Sequence, residues 1–498
     1  ECIPVTHKIT VVGGGTAGVM AATYLKSYYG ELVDVTMIYD HSKPGIGVGE
    51  SMTPLFDNYL KAVGVSTIEL VQNCNATIKL GLQIKDWTHE GSLGYHSFPI
   101  NEAIESVDPT LNYYNAVAAY DMLTDQFEGS YNYNEFYFDN NLIFGTDNTS
   151  YRHALHVDAN LVGRYIEDKF KDRINIVDGI VQQVNVKDRR IESIVLESGE
   201  TYTSDLFIDS SGLAYALIKH LEPEWVNIQD QLPTNRTIPN PVFKDFDYIP
   251  PYTSAKATKN GWILDVPLSN RRGCGYVYSS DFQTDEDAKI EFNKWLVKTH
   301  NVELTSDRVI KYDNGYWKEQ YIGNCMAVGL SAGFVEPLEA TSIHMAVSLM
   351  EEFTSMYSLN ESTLNNKTYN AYANTMYENS MEYIRYFYHT GRTDSEFWQY
   401  MTNNTPTWLE ELSEAYASSF AVPGYTPKQG MFTSTQYAMI GNVHGRFTKA
   451  GISRYLDSKF MMEHAKAASA NVKKIKFDLR QHAVDHKQWI DYVKAMSV

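Results

Sequence analysis

The sequence predicts an α/β fold: a Rossmann-like dinucleotide-binding sheet, a β-meander with further substrate-region strands, and an appended helical C-terminal region. Three observations predict it. A β-branched run, Ile9–Val12, leads into the glycines Gly13, Gly15 and Gly18, then a helical stretch Thr16–Tyr29 and a second strand Val33–Tyr39. Val181–Val186 and Ile191–Leu196 alternate as paired strands and feed an apolar run, Leu206–Asp209. Residues 360–420 and 455–498 read as mostly helical. A strand–glycine–helix–strand opening implies a parallel sheet with a right-handed crossover.

Bulk properties narrow the class. The 498 residues are 43% hydrophobic and 21% charged, as in folded globular chains rather than disordered ones. A net charge of −19 repels phosphate backbones, so nucleic acid is excluded as a partner. The four cysteines, Cys2, Cys74, Cys274 and Cys325, form no closely spaced pair and no disulfide framework. They point to a reducing, cytoplasmic setting. No stretch approaches the roughly 20 apolar residues of a membrane span, and Glu1–Lys8 lacks the apolar core of a signal peptide.

GxGxxG between strand and helix is a dinucleotide signature. Its glycines allow a tight turn and close backbone approach, and the helix N-terminus favours a pyrophosphate. Gly13, Gly15, Thr16, Ala17 and Gly18 are therefore cofactor-binding candidates. Asp40 is the nearest candidate for the ribose acid, although it lies beyond the usual spacing of about 20 residues and Tyr39 competes for the slot. Asp209, in the run Asp205–Gly212, ends a strand suited to pass beneath a cofactor. No second GxGxxG follows a strand, so the chain supplies no NADPH domain of its own.

Thr77–Lys85 alternates: Ile78, Leu80, Leu82 and Ile84 on one face, Lys79, Gly81, Gln83 and Lys85 on the other. It reads as one continuous strand, and on alternation alone Lys79 belongs to the wet face. Residues 225–255, rich in Pro, Asn and Thr, read as an irregular connection. Glu286–Thr299 reads as a helix, and another helix starts near Ile343. The tail Lys459–Met496 reads as an amphipathic helical pair covering another element.

Five runs in order, GGGTAG, GIGVGES (Gly45–Ser51), the strand around Lys79, GWILDVP (Gly261–Pro267) and GLSAGFVEPLEATS (Gly329–Ser342), resemble flavin-dependent tryptophan halogenases over about residues 5–350. The resemblance implies a flavin-monooxygenase-like fold that binds FAD. It implies that FADH2 and dioxygen oxidise a halide (chloride, bromide or iodide) to hypohalous acid, which passes through a tunnel to an essential lysine. A separate flavin reductase would supply FADH2. Residues 1–350 would form the FAD-binding and catalytic module, with substrate-region strands at about 75–150 and 225–320, and residues 351–498 the helical region closing the substrate pocket. Homo-oligomerisation is left open.

On this resemblance Lys79 is the essential amine and Glu339 the second catalytic residue. The backbone N–H groups of Thr341 and Ser342 suit a halide, Gly49, Glu50 and Ser51 form a strap beside the flavin, and Gly329 adjoins the cofactor. His96 and Phe98 flank the substrate. Three departures accompany the match. Leu264 stands where the family has a second tryptophan, and Ala340 where a serine is usual. No Tyr-Tyr pair, acid and Phe-Trp pair marks a clamp for free tryptophan; Pro423–Gly441 offers Tyr425, Phe432 and Tyr437 instead. The expected substrate is an electron-rich indole, phenol or aniline rather than strictly tryptophan. The rival expectation is an FAD-dependent aromatic hydroxylase, which needs neither Lys79 nor halide.

Overall fold

The computed structural model describes residues 6–43, 50–98, 113–124, 135–144, 153–363, 365–418 and 430–496. The chain forms two compact units, one of residues 1–76, 157–232 and 312–377, the other of 77–156, 233–311 and 378–498. Residues 1–350 and 351–498 are thus each shared between the units. The strands of one sheet are drawn from segments that interrupt the other.

The first unit holds a six-stranded sheet in the order Tyr321–Ile322, Cys325–Ala327, Leu206–Asp209, His7–Val12, Val33–Tyr39, Asn175–Asp178. All pairs are parallel except the outermost, Tyr321–Ile322 with Cys325–Ala327. Its central strands are apolar with little alternation because both faces are covered. Val12 pairs with Ile38 on one side and Asp209 on the other, so three expected cofactor segments leave the sheet at one carboxyl edge. The meander runs Val181–Lys187, Arg190–Leu196 and Thr201–Tyr202, its first turn made by Asp188 and Arg189 at φ 50° and 55°.

The second unit holds a seven-stranded sheet: Ile310–Lys311, Arg236–Val242, Arg272–Tyr278, Gly261–Pro267, Tyr252–Ala257, Gly81–Lys85, Leu93–Ser97. Its pairs are antiparallel except Tyr252–Ala257 with Gly81–Lys85. Residues 225–255, expected to be irregular, contain the strand Arg236–Val242 despite Pro239 and Pro241. Its outer neighbour pairs only at Arg236 and Thr237, so both prolines sit on an open edge where a missing N–H is tolerated. In the tail, helix Lys459–Gln481 packs on Tyr113–Leu123, with the Ser469 hydroxyl donating to Asp121 at 2.6 Å. No described helix is long and apolar enough to cross a membrane.

The expected strand 77–85 is two strands. Thr77–Lys79 pairs with Ala154–Val157, while Gly81–Lys85 joins the seven-stranded sheet. Between them the Leu80 N–H donates to the Pro251 carbonyl at 2.7 Å, and the Leu80 carbonyl accepts from the Phe98 N–H at 2.9 Å. The short strand is further held by His486, whose Nε2 accepts the Ile78 N–H at 3.0 Å while Nδ1 faces the Ile249 carbonyl at 2.9 Å. His486→Leu removes the acceptor of a buried N–H and is expected to cost about 1–3 kcal/mol, read as a lowered midpoint in urea unfolding; an unchanged midpoint would sink this account.

Candidate active site

In the first unit the glycine turn is sterically determined. Gly13 has φ 119°, and a Cβ there would lie 2.2 Å from the Ser210 carbonyl oxygen. A Cβ at Gly18 would lie 2.1 Å from the Gly13 carbonyl oxygen. At Gly15, the N-cap of helix Thr16–Tyr29, a Cβ would meet no atom within 4 Å. That helix has no side-chain cap and no acid in its first turn, so its leading N–H groups and dipole suit an anion. The turn therefore fits a dinucleotide pyrophosphate. Gly329, at φ 61°, lies against Ala17, where a Cβ would come within 2.6 Å of the Ala17 Cβ.

Two expected acids find protein partners. Asp209 is fully buried. One carboxylate oxygen accepts from the Ser211 N–H and hydroxyl and the Ser331 hydroxyl; the other accepts from the Leu217 and Ile218 N–H groups, both at 2.8 Å. Asp40 accepts from the Ser42 N–H at 3.0 Å and hydroxyl at 2.6 Å, bonds that hold its carboxyl below the usual range. At the strand end itself stands Tyr39, whose ring borders Gly14 and whose hydroxyl donates to Glu167 at 2.9 Å. Arg164 donates to the Gly14 carbonyl and the Tyr39 hydroxyl, which places a guanidinium beside the glycine turn. Sequence reasoning missed Arg164; its only signal was a place on the helix after Asp158.

Glu339, buried at 7% exposure, ends the turn Pro337–Glu339. Ala340 follows in the left-handed region at φ 55°, and helix Thr341–Met356 begins with no side-chain cap. Thr341 is buried and Ser342 half-buried at its first turn. Its backbone N–H groups are thus available to an anion. In the same turn, His344 Nδ1 contacts the Thr53 hydroxyl at 2.7 Å, and burial pushes its pKa down to about 4, so the ring is neutral. Thr53 ends the segment that begins at Glu50 and Ser51. Gly45–Gly49 lie outside the described residues, as do Cys2, Pro423 and Tyr425.

In the second unit Lys79 is 3% exposed, with its Nζ 5.3 Å from the Phe98 ring centroid. His156 lies between the Thr77 and Thr253 hydroxyls at 3.1 and 2.9 Å. Burial holds its pKa well below the usual range, helped by the nearby Lys79 charge; His486, mainly through burial, is held at about 3. Both rings are therefore neutral neighbours. The Thr77 hydroxyl donates to the carbonyl of Pro267, the last residue of GWILDVP, at 2.5 Å. Phe98 lies 6.5 Å from His96, which lies 6.3 Å from Tyr383. Tyr383 stacks on Phe432 at 3.8 Å and meets Tyr437 edge-on at 5.2 Å. His96, Phe98, Phe432 and Tyr437, named from sequence, thus share an aromatic array whose hub, Tyr383, sequence reasoning missed.

Among the described residues one group could hold a metal ion: Asp265, Cys274 and His300, whose ligand atoms lie within 4.8 Å of one another. His300 Nε2 contacts Asp265 at 2.8 Å, and burial pushes the Cys274 thiol well up. These two features describe a protonated, hydrogen-bonded tie from helix Asp285–His300 to the sheet.

Parallel sheet, meander and glycine turn together define a dinucleotide-binding protein. More narrowly, the chain belongs to the tryptophan halogenase family, a model of which matches residues 8–452. It is thus a flavin-dependent halogenase that works with reduced flavin, for which a separate reductase is typical of the family. Tryptophan 7-halogenase RebH of Lentzea aerocolonigenes is 30% identical over 421 residues, covering 79% of this chain and 78% of that protein. Tryptophan 6-halogenase SttH of Streptomyces toxytricini is 30% identical over 443 residues, covering 82% and 83%. The crystal structure of SttH matches with a TM-score of 0.85 at 24% identity, over 97% of this chain and 99% of that one. That of a tryptophan halogenase from Shewanella frigidimarina matches with a TM-score of 0.85 at 20% identity, over 99% and 98%. At these structural identities the likeness is one of fold.

Two expectations test the first unit. Gly18→Ala should destabilise by about 1–3 kcal/mol through backbone overpacking. Gly15→Ala should leave thermal unfolding unchanged yet weaken FAD binding in a fluorescence titration; undiminished affinity would take the pyrophosphate away from this turn. The second concerns Glu50, half-buried and pushed up from 4.5 to about 7 by burial first and the Asp158 carboxylate second. Its stabilising contribution is fully present below the unfolded value and declines as pH rises through the folded one. Glu50→Gln should therefore gain about 1–3 kcal/mol at pH 8 and nothing at pH 4 in denaturant unfolding; an equal change at both pH values would contradict a neutral buried carboxyl.

Proposed function

We propose that the enzyme oxidises a halide to hypohalous acid with FADH2 and dioxygen, and that Lys79 delivers the halogen to an electron-rich aromatic substrate. The observation that carries this reading is the burial of the Lys79 amine among neutral histidines and beside an aromatic array. An amine in such a place can hydrogen-bond hypohalous acid or capture its halogen, with little water to compete. When bound, the reduced flavin, FADH2, would supply with dioxygen the two-electron oxidant for the halide.

The residues divide the remaining work. Gly13, Gly15, Thr16, Ala17, Gly18 and Gly329 admit the cofactor's backbone-facing surfaces. Asp209 braces the loops below it, and Asp40, Glu50 and Ser51 border it. Thr341 and Ser342 hold the halide through backbone N–H groups. Glu339 orients hypohalous acid or takes the ring proton after attack. His96 and Phe98 flank the aromatic ring. The lack in this sequence of the clamp for free tryptophan favours indoles, phenols or anilines, with bromide or iodide among the halides used. A separate flavin reductase supplies FADH2.

The test is a substrate panel with FAD, a flavin reductase, NADH and each halide, read by mass spectrometry. Lys79→Ala should abolish halogenated product with FAD affinity retained; undiminished product refutes the role. Glu339→Gln should slow halogenation about 10²- to 10⁴-fold, and a wild-type rate would remove it from the mechanism.

A further inference from the structure

A dinucleotide site ordinarily ends its second strand in an acid that accepts the adenosine ribose 2′-hydroxyl. Here strand Val33–Tyr39 ends in a phenol. Asp40, beyond it, accepts from Ser42 and pairs with Lys43 at 3.6 Å. Tyr39 fills the slot instead, so close that a Cβ on Gly14 would lie 2.3 Å from its ring. Its hydroxyl donates to Glu167, whose carboxylate oxygens lie at 2.9 and 3.0 Å. A carboxylate therefore does stand behind the strand end, but it comes from helix Ala159–Phe170.

Arg164 closes this group onto the glycine turn. It donates to the Gly14 carbonyl, to the Tyr39 hydroxyl and to Glu167, the last at 2.5 Å, and its guanidinium carbon lies 4.7 Å from the Tyr39 ring centroid. Arg164 and Glu167 neutralise one another, so the group suits a neutral hydroxyl rather than a phosphate. A phenol has one proton and two acceptor positions. The proton goes to Glu167 and one acceptor position to Arg164, which leaves one. Burial first, and the bond to Glu167 second, push the phenol up to about 12, so it keeps its proton near neutral pH. A carboxylate drawing on that proton strengthens the oxygen as an acceptor. The group is also reachable: Tyr39 is half-buried, and the Arg164 and Glu167 side chains are 41% and 14% exposed.

We propose that Glu167, acting through Tyr39, replaces the strand-end acid of the dinucleotide site, so that the Tyr39 oxygen accepts the adenosine 2′-hydroxyl of FAD. This rests on the reading of the glycine turn as the FAD site, which Gly15→Ala tests separately. ADP and 2′-deoxy-ADP would be compared as competitors that displace FAD from the full-length protein, followed by flavin fluorescence. The wild type should favour ADP about 10-fold, as for a charge-assisted hydrogen bond. Tyr39→Phe should abolish that preference, and Glu167→Gln should remove most of it. Adding Tyr39→Glu to Glu167→Gln returns a carboxylate to the strand end and should restore it. A role confined to packing would change the affinity for both nucleotides equally and leave their ratio alone. Equal displacement by the two nucleotides in the wild type, or a preference that survives Glu167→Gln, overturns the assignment. Should Tyr39→Phe fail to fold, Glu167→Gln and its double variant carry the comparison. If Gly15→Ala leaves FAD affinity intact, the glycine-turn reading falls and takes this one with it. If Gly15→Ala weakens FAD while the nucleotides show no preference, only the assignment of Glu167 falls.

Discussion

The candidate substrate site depends on where the backbone of Leu80 sends its hydrogen bonds. Its N–H goes to Pro251 and its carbonyl receives Phe98, and these two bonds separate one apparent strand into two. Lys79 then belongs to a three-residue strand with neighbours at Ala154–Val157, while Gly81–Lys85 belongs to the large sheet. Without the break the alternation would carry Lys79 to the same face as Gln83 and the exposed Lys85. With it the amine is buried beside His156, with His486 fastening the preceding residue and Pro267 fastening Thr77. The GWILDVP run thus contributes to Lys79 through a backbone carbonyl, a contribution that does not require the tryptophan replaced by Leu264.

In the nucleotide-binding unit the corresponding constraint is steric. Gly13 and Gly18 are packed so closely on backbone that no side chain fits, whereas Gly15 faces open space. The turn is thereby rigid on the sheet side and accessible at the helix N-terminus, the arrangement an anion needs. The strand register then brings Gly13, Tyr39 and Asp209 to one edge.

Much of this was legible in the residues, and the rest failed for identifiable reasons. The opening strand, helix and strand follow from local periodicity and glycine placement, and helix Thr16–Tyr29 and strand Val33–Tyr39 have the bounds their pattern implies. The meander was legible because tight turns separate its strands. The burial of Lys79 was not, because alternation assumes a strand keeps one partner on each side; Pro251, far away in sequence, decides otherwise. Arg236–Val242 was hidden by two prolines whose cost depends on a sheet edge that only topology supplies. Tyr383 and Arg164 carry no local signature at all. Each matters through a ring or a charge brought near by the fold.

One buried acid in this chain shows how function and architecture can be told apart. Asp209 is wholly enclosed, and hydrogen bonds from Ser211, Ser331, Leu217 and Ile218 exhaust its carboxylate. A charge so fully answered has little capacity left for a ligand, and its effect is to lock the loops at the sheet edge.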